Sequence, residues 1–431
     1  MNKTGFLFGR AAIFPMKPLP LTFCKRLLLA LLVCPLAFPA CASESAEPLP
    51  SNFTLRGFGT LGATRSSSSQ ADFVRDLSQP QGSRGQWSGT LDSLLGVQAN
   101  YRFSQQVEGG LQVVSRYRYD GSFQPEAHLA FLKYDFNPSL SLRAGRIGPE
   151  FYMQADSRLI GYSYLPVRPP TDYFSPLPFY HMNGGDFTLT VPAAQGLAKF
   201  KVFYGVAGEK VPTAAVGTWD FTGSRIFGGY VDYLQGAWQW RLSYAQLQFS
   251  QDLPVNKVRD ALRLTGVPSA VAAADALTVT DRRVHYYSAG LVYDKGPLQA
   301  QLMLGHTMHE STIFENISAG YGLVGYRISS LTPYLGYSRA KSARKKLTTG
   351  LSNEIAPFAA MNAGVVATMN SHVDQSTFFL GARWDIQPNV AFKAQWDRVR
   401  GHADSVAFVQ GEAAGWDGRT NVLSLTLDFL F

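Results

Sequence analysis

The sequence predicts an all-β chain: a transmembrane antiparallel β-barrel of about sixteen strands, with short periplasmic turns, long external loops and a third loop folded into the lumen. Three observations predict it. Runs of alternating apolar and polar residues recur along most of the chain. The connections between these runs alternate between short turns and long loops. Finally, beyond a short leader no apolar run approaches the roughly 18–20 residues of a membrane helix. Aromatic residues are nevertheless 13% of the chain and charged residues only 16%, against about 25% charged in ordinary soluble domains.

The leader comes first. Lys25 and Arg26 precede an apolar run from Leu27 to Leu36, and Ala40-Cys41-Ala42 offers a small-x-small cleavage site. That is the layout of a secretory signal peptide. Residues 1–42 are expected to be cleaved, leaving one barrel domain over 43–431. Cys41 also admits a lipidated terminus, which the preceding Phe38-Pro39-Ala40 fits poorly. All three cysteines, Cys24, Cys34 and Cys41, lie in this leader. The mature chain is therefore expected to hold neither a disulfide framework nor a cysteine metal site. The leader carries Lys3, Arg10, Lys17, Lys25 and Arg26 and no acid, so the remainder balances 34 basic against 31 acidic residues. The basic character of the whole chain is weak evidence for nucleic acid, and no such partner is expected.

Alternation defines the strands. From Leu91 to Phe103, one face reads Leu91, Ser93, Leu95, Val97, Ala99, Tyr101, Phe103, and the other reads Asp92, Leu94, Gly96, Gln98, Asn100, Arg102. The run from Val107 to Tyr119 has the same two-faced character, and the two meet at Ser104-Gln105-Gln106. Such patterns place strands near 53–64, 91–103, 106–118, 127–136, 139–146, 184–192, 197–206, 223–234, 237–249, 283–294, 297–308, 316–328, 331–340, 374–386, 390–401 and 420–431. The registers of 237–249 and 316–328 are untidy, which suggests bulges. Short turns at 137–139, 235–236, 294–296, 329–330 and 387–389 alternate with long loops at 65–90, 146–184, 250–282, 341–373 and 402–419. Within 250–282, Lys257 to Leu264 and Ala270 to Leu277 read as short helices. The closing run VLSLTLDFLF puts Leu423, Leu425, Leu427, Phe429 and Phe431 on one face, as suits a strand that pairs with the first to close a barrel.

The stretch from Arg146 to Gly184 breaks the alternation. It is rich in proline and carries Phe151, Tyr152, Tyr162, Tyr164, Tyr173, Phe174, Phe179 and Tyr180. Unstructured loops beyond about 12–15 residues are usually functional or disordered, and disordered segments are poor in aromatics. Residues 146–184 therefore read as an ordered loop inside the barrel that constricts a pore. Selectivity in a channel follows from its width and the charges lining it. The candidate lining is Arg102, Arg116, Arg118 and Arg143, with Arg146 at the base of the loop, forming a basic wall. Glu150, Asp156 and Asp172 on the loop would face it across an aqueous gap, alongside the loop's own Arg158 and Arg168. Any one of these residues taken singly is better explained as solvated lining than as a selectivity determinant; the cluster is better supported than its members, and the mixed signs argue against a strong anion trap.

Taken together, the leader, the even strand count, the long third loop and the terminal Phe431 resemble those of the Gram-negative outer-membrane porins. The resemblance covers essentially the whole mature chain, in architecture more than in sequence. It implies location in the outer membrane, contact with its lipid and lipopolysaccharide, a homotrimer, and recognition of Phe431 by the outer-membrane assembly machinery. The acidic motif of that family's third loop has no clear counterpart here, so the resemblance does not fix the selectivity.

Other motifs carry less. Gly57-x-Gly59-x-x-Gly62 matches a dinucleotide fingerprint, but it lies inside a strand with no helix following, so no cofactor is expected. His306 and His309 read as residues at a strand end rather than metal ligands. Ser371-His372 with Asp374 lacks a glycine-flanked nucleophile elbow, and adjacent strand residues point to opposite faces. Trp238, Trp240, Trp384 and Trp396 suit an aromatic girdle at the membrane interface. The preferred reading is a porin passing small polar or charged solutes and ions passively, with no enzymatic step. A barrel serving adhesion or surface scaffolding, and a barrel hydrolysing lipid, remain open.

Overall fold

The computed structural model describes residues 52–175, 179–213, 217–343, 347–368, 371–401, 409–410 and 415–431. The signal peptide expected at 1–42 lies outside the described residues.

Sixteen long strands form the wall: β1 (Phe53–Ser66), β2 (Leu94–Arg102), β3 (Val107–Arg116), β4 (Glu126–Asn137), β5 (Leu140–Ile147), β6 (Met182–Ala193), β7 (Gly196–Ala207), β8 (Arg225–Gln235), β9 (Trp238–Gln248), β10 (Arg283–Lys295), β11 (Leu298–His309), β12 (Ile317–Tyr326), β13 (Leu331–Ser342), β14 (Asp374–Gln387), β15 (Val390–Gly401) and β16 (Arg419–Leu430). Each pairs antiparallel with its sequence neighbours, and β1 pairs with β16 from Phe58↔Leu430 to Ser66↔Val422. The barrel is thus closed and has no free edge. At one end the strands are joined by tight turns, where Gly236 and Gly296 take positive φ. At the other, the third external connection folds inward (below).

Strand pleating sets two faces. The outward one is apolar and uncovered: Leu61, Leu132, Val202, Leu242, Leu304, Leu335 and Leu380 are all exposed, Leu242 by 67%. A continuous belt of this kind in water would drive association, whereas lipid covers it at no penalty. Trp238, Trp240 and Trp384 are exposed on this face. Trp238 and Trp240 follow the β8–β9 turn and stack at 6.0 Å, as an interfacial girdle requires. Among the described residues, no helix is long and apolar enough to cross a membrane.

Two expectations need correction. The untidy strands 237–249 and 316–328 hold no bulge; β9 and β12 pair in continuous register. Register shifts occur instead at Gln112/Val113, Asp135/Asn137 and Asp385/Gln387. The untidiness has another cause. Tyr321 and Leu323 of β12 are buried inward while Val324 and Tyr326 are exposed outward, so both faces are apolar. The first long strand after β1 also begins later than its alternation implies, at Leu94, because Leu91 and Asp92 turn inward to other partners. Helices form at Asn256–Leu264 and Pro268–Ala276 as expected, and also at Ala356–Thr368, within the long loop expected at 341–373.

Candidate functional site

The segment between β5 and β6 leaves the rim and packs against the inner wall. Its own turns are short: a 3-10 turn at Gly161–Ser163 and one helical turn at Thr171–Phe174, which starts where Pro169 and Pro170 rule out an earlier helix. Three aromatic residues, Phe151, Tyr152 and Phe174, and most of their neighbours are buried there. The segment is held by five sets of contacts spread around the barrel.

In the first, Glu150 accepts from Lys201 of β7 and from Tyr230 of β8 at 2.7 Å, and pairs with Arg143 of β5 at 3.2 Å. Arg143 also grips Asp186 of β6 through Nε and Nη2, at 2.5–3.1 Å. Burial alone would raise the Glu150 carboxyl; Lys201 and Arg143 outweigh it and hold the group at about 2. In the second, Arg241 of β9 donates to the Tyr152 carbonyl at 3.1 Å and is itself locked by Asp232 at 2.5 and 2.7 Å.

The third set surrounds Arg168, which is 2% exposed. It forms a forked pair with Asp92 at 2.9 and 2.6 Å and reaches Thr64, Ser424 and Asp397 at 3.0, 2.6 and 3.4 Å. In the fourth, Lys393 of β15 donates to the carbonyls of Gly161, Tyr164 and Pro166 at 2.7, 2.6 and 3.0 Å and pairs with Asp428 of β16 at 3.1 Å. Gly161 is required here: a Cβ would lie 2.1 Å from Asp428 Oδ1 and 2.4 Å from Thr60 Oγ1. In the fifth, the Tyr180 ring lies between the guanidinium groups of Arg116 and Arg158, 3.8 and 3.6 Å from its centroid, and its hydroxyl donates to Asp76.

The structure therefore distributes the sequence-predicted residues unevenly. Arg116, Arg143, Glu150, Arg158, Arg168 and Asp172 do converge on the inserted segment. Their charges, however, do not oppose one another across a gap. Glu150 contacts the wall arginine directly, and Arg168 is neutralised by Asp92. Asp172 is wholly buried against neutral donors, Ser338 at 2.5 Å and Gln375 at 2.7 Å, and burial raises its carboxyl. Arg102 faces inward at the far mouth, 3.9 Å from Glu108. Arg118 lies beyond the end of β3 and pairs with Glu126 at 3.7 Å. Asp156 is exposed. Arg146 has the outward parity, since Arg143 and Ile147 are the inward residues of β5; its guanidinium bonds Asn183 and the Ala127 carbonyl. It is not part of the lining.

Sequence reasoning missed the other half of these contacts. Arg75, which donates to the Arg158 carbonyl at 2.9 Å, and the buried Asp76 and Asp92 belong to the first external connection, which also turns inward. Lys201, Asp232, Arg241, Lys393, Asp397 and Asp428 are charged residues within strands, and inward parity alone marks them. Part of the interior is apolar. Inward Tyr286, Met303, Tyr321, Tyr334 and Phe379 pack in one cluster with Phe151, Tyr173 and Phe174 of the segment. Ser371 and His372 are not paired with each other: Ser371 accepts from the Glu315 amide, and His372 Nδ1 lies 2.8 Å from the Glu315 carboxylate.

No protein-family model and no curated protein matches the chain. Among solved structures it is similar to Salmonella typhi OmpF in complex with daunomycin, at 12% identity over 88% of this chain and 97% of that one, with a TM-score of 0.52. It is likewise similar to an anion-selective porin from Comamonas acidovorans, at 14% identity over 88% and 99% of the two chains, with a TM-score of 0.50. At these identities the likeness is one of fold. With the closed wall, the lipid-facing belt and the inserted third loop already established, the chain has the fold of a porin-like transmembrane β-barrel.

Proposed function

We propose that the barrel is a water-filled channel for passive diffusion of small polar solutes, narrowed by the segment between β5 and β6. One observation carries this reading. At the end of the barrel bearing the tight turns, the inward faces of β2–β4 present Gln98, Asn100, Arg102, Glu108, Lys133 and Asp135, all at least partly exposed. Side chains pointing into a closed barrel keep such exposure only where the interior holds water. Their signs alternate, with Arg102 beside Glu108 and Lys133 2.9 Å from Asp135. The field along this wall orients dipolar solutes without trapping one ion type. No chemical step is part of this function.

Swelling of liposomes containing the folded protein tests the proposal. Small neutral sugars should enter, at rates falling steeply with solute size. Equal rates with protein-free liposomes would exclude the channel and turn attention to adhesion through the external loops.

A further inference from the structure

Where the inserted segment returns to the wall, it meets a cluster of histidines and glutamates that the five sets of contacts leave out. Glu126 and His128 open β4, His181 directly precedes β6, and Glu209 lies two residues beyond β7. A bulge brings His128 into the cluster. Gln112 pairs with Leu129 and Val113 with Ala127, so His128 is the extra residue of β4. Bulges re-aim single side chains in this way. His128 is 2% exposed and packs against Tyr180 of the segment. Its ring centroid stands 5.9 Å from that of His181, with the two planes at 75°.

Two features of the cluster point to a ligand. Among the described residues, neither ring nitrogen of His128 finds a hydrogen-bond partner. A neutral imidazole carries one donor and one acceptor, and burying both unmet is costly. His181, in contrast, is aimed. Its Nδ1 lies 2.9 Å from Glu209 Oε1, and that oxygen accepts from the Tyr180 and His181 amides at 3.0 and 3.2 Å. A carboxylate on one ring nitrogen is how proteins commonly present the other to a metal ion. That other nitrogen, Nε2, faces Glu126 Oε1 at 3.9 Å. The gap is beyond hydrogen-bond length, but close to the roughly 3.4 Å between two ligands of one tetrahedral zinc ion.

We propose that His128, His181 and Glu126 bind a divalent transition-metal ion of the zinc class, with Glu209 as the residue that positions His181. Two imidazoles and one carboxylate suit zinc, whereas calcium and magnesium prefer oxygen ligands throughout. Among the described residues, no three such side chains are already gathered at ligand distance, so the site closes on the ion. Glu126 is the member with room to move. Its side chain is 23% exposed, and Arg118 pairs with its other oxygen at 3.7 Å. Arg116, over the Tyr180 ring beside His128, opposes a cation here, and the charges of Glu126 and Glu209 offset it. An ion so held ties β4 to the returning end of the insert. The site is independent of the channel reading, because it needs only the docked segment.

The test titrates zinc chloride into the full-length folded protein in detergent, after treatment with a chelator. One zinc ion per chain should bind saturably, and cobalt in its place should give the strong visible absorption of a four-coordinate site. His128→Ala and His181→Ala should each weaken zinc binding about a hundredfold and Glu209→Gln about tenfold, while the double variant H306A/H309A leaves it unchanged. Zinc should also slow hydrogen exchange of the Tyr180–Asn183 amides in the wild type and not in His128→Ala. Absence of saturable binding to the wild type, or undiminished affinity in His128→Ala and His181→Ala, would overturn the site. So would a loss confined to H306A/H309A, which would place the ion elsewhere. Magnesium binding as tight as zinc would overturn the choice of metal. Unchanged heat-resistant migration of the barrel on gels verifies that each variant is folded.

Discussion

Replacing Glu150 by glutamine is the sharpest test of how the inserted segment is held. The carboxylate neutralises Lys201, which is 6% exposed, and shares Arg143 with Asp186. In Glu150→Gln, Arg143 keeps its forked pair with Asp186, but Lys201 loses its nearest counter-charge inside the barrel. Two routes give the magnitude. Breaking one partner of a buried pair costs about 3–5 kcal/mol. Separately, a carboxyl lowered from 4.5 to about 2 on docking corresponds to about 3 kcal/mol. The sixteen-strand hydrogen-bond network does not depend on Glu150, so this energy is lost from docking of the segment rather than from the wall. Hydrogen exchange of the amides from Phe151 to Ser175 should accelerate roughly a hundredfold, while β1–β16 remain protected. The sign with pH follows. The folded pKa is depressed, so the stabilisation is complete above about pH 4.5 and is lost as pH falls towards 2; acid should reproduce the variant's exchange pattern in the wild type. Unchanged exchange in Glu150→Gln at neutral pH would refute the role of this cluster.

Three further outcomes follow from the same contacts. In Gly161→Ala the new methyl collides with Asp428 and Thr60; a penalty of about 1–3 kcal/mol should appear as faster exchange around Gly161–Pro166 and as noisier single-channel current. Arg168→Met leaves Asp92 buried without its forked partner and should weaken docking by about 3 kcal/mol or more, read by exchange at Val167–Phe174; Arg168→Lys should recover only part of it. Phe431→Ala removes a ring that lies over Gly57, although the backbone pair Phe431 N to Gly57 O at 3.0 Å survives. The yield of heat-resistant folded barrel should fall, most of all when folding is catalysed by the assembly machinery.

The wall was legible because outward and inward residues alternate within a single strand. Leu95, Val97 and Tyr101 could be assigned to lipid without knowing any partner, and the distinction between tight turns and long connections then set the direction of each strand. The third connection was recognisable as ordered from its tyrosines and phenylalanines. Most of its partners were not, since apart from the Arg143–Glu150 pair the contacts that hold it are remote in sequence: Arg168 meets Asp92, Lys393 meets Gly161, and Tyr180 meets Asp76. The two faces of β9 and β12 were not separable by alternation, because Leu247, Tyr321 and Leu323 face inward to an aromatic segment rather than to water. Arg146 was misplaced for a simpler reason. It lies three residues from Arg143, and an odd separation on a strand reverses the face.

The central claim is that a hydrated path runs through this barrel past a charge-paired insert. Single-channel current in a planar bilayer under a salt gradient tests it most directly. Such a path gives stepwise ohmic conductance, a reversal potential close to zero because the lining charges are largely paired, and three coupled steps per insertion if the homotrimer implied by the porin resemblance forms. Absence of conductance from correctly folded protein would contradict it, and so would ideal selectivity for one sign of ion.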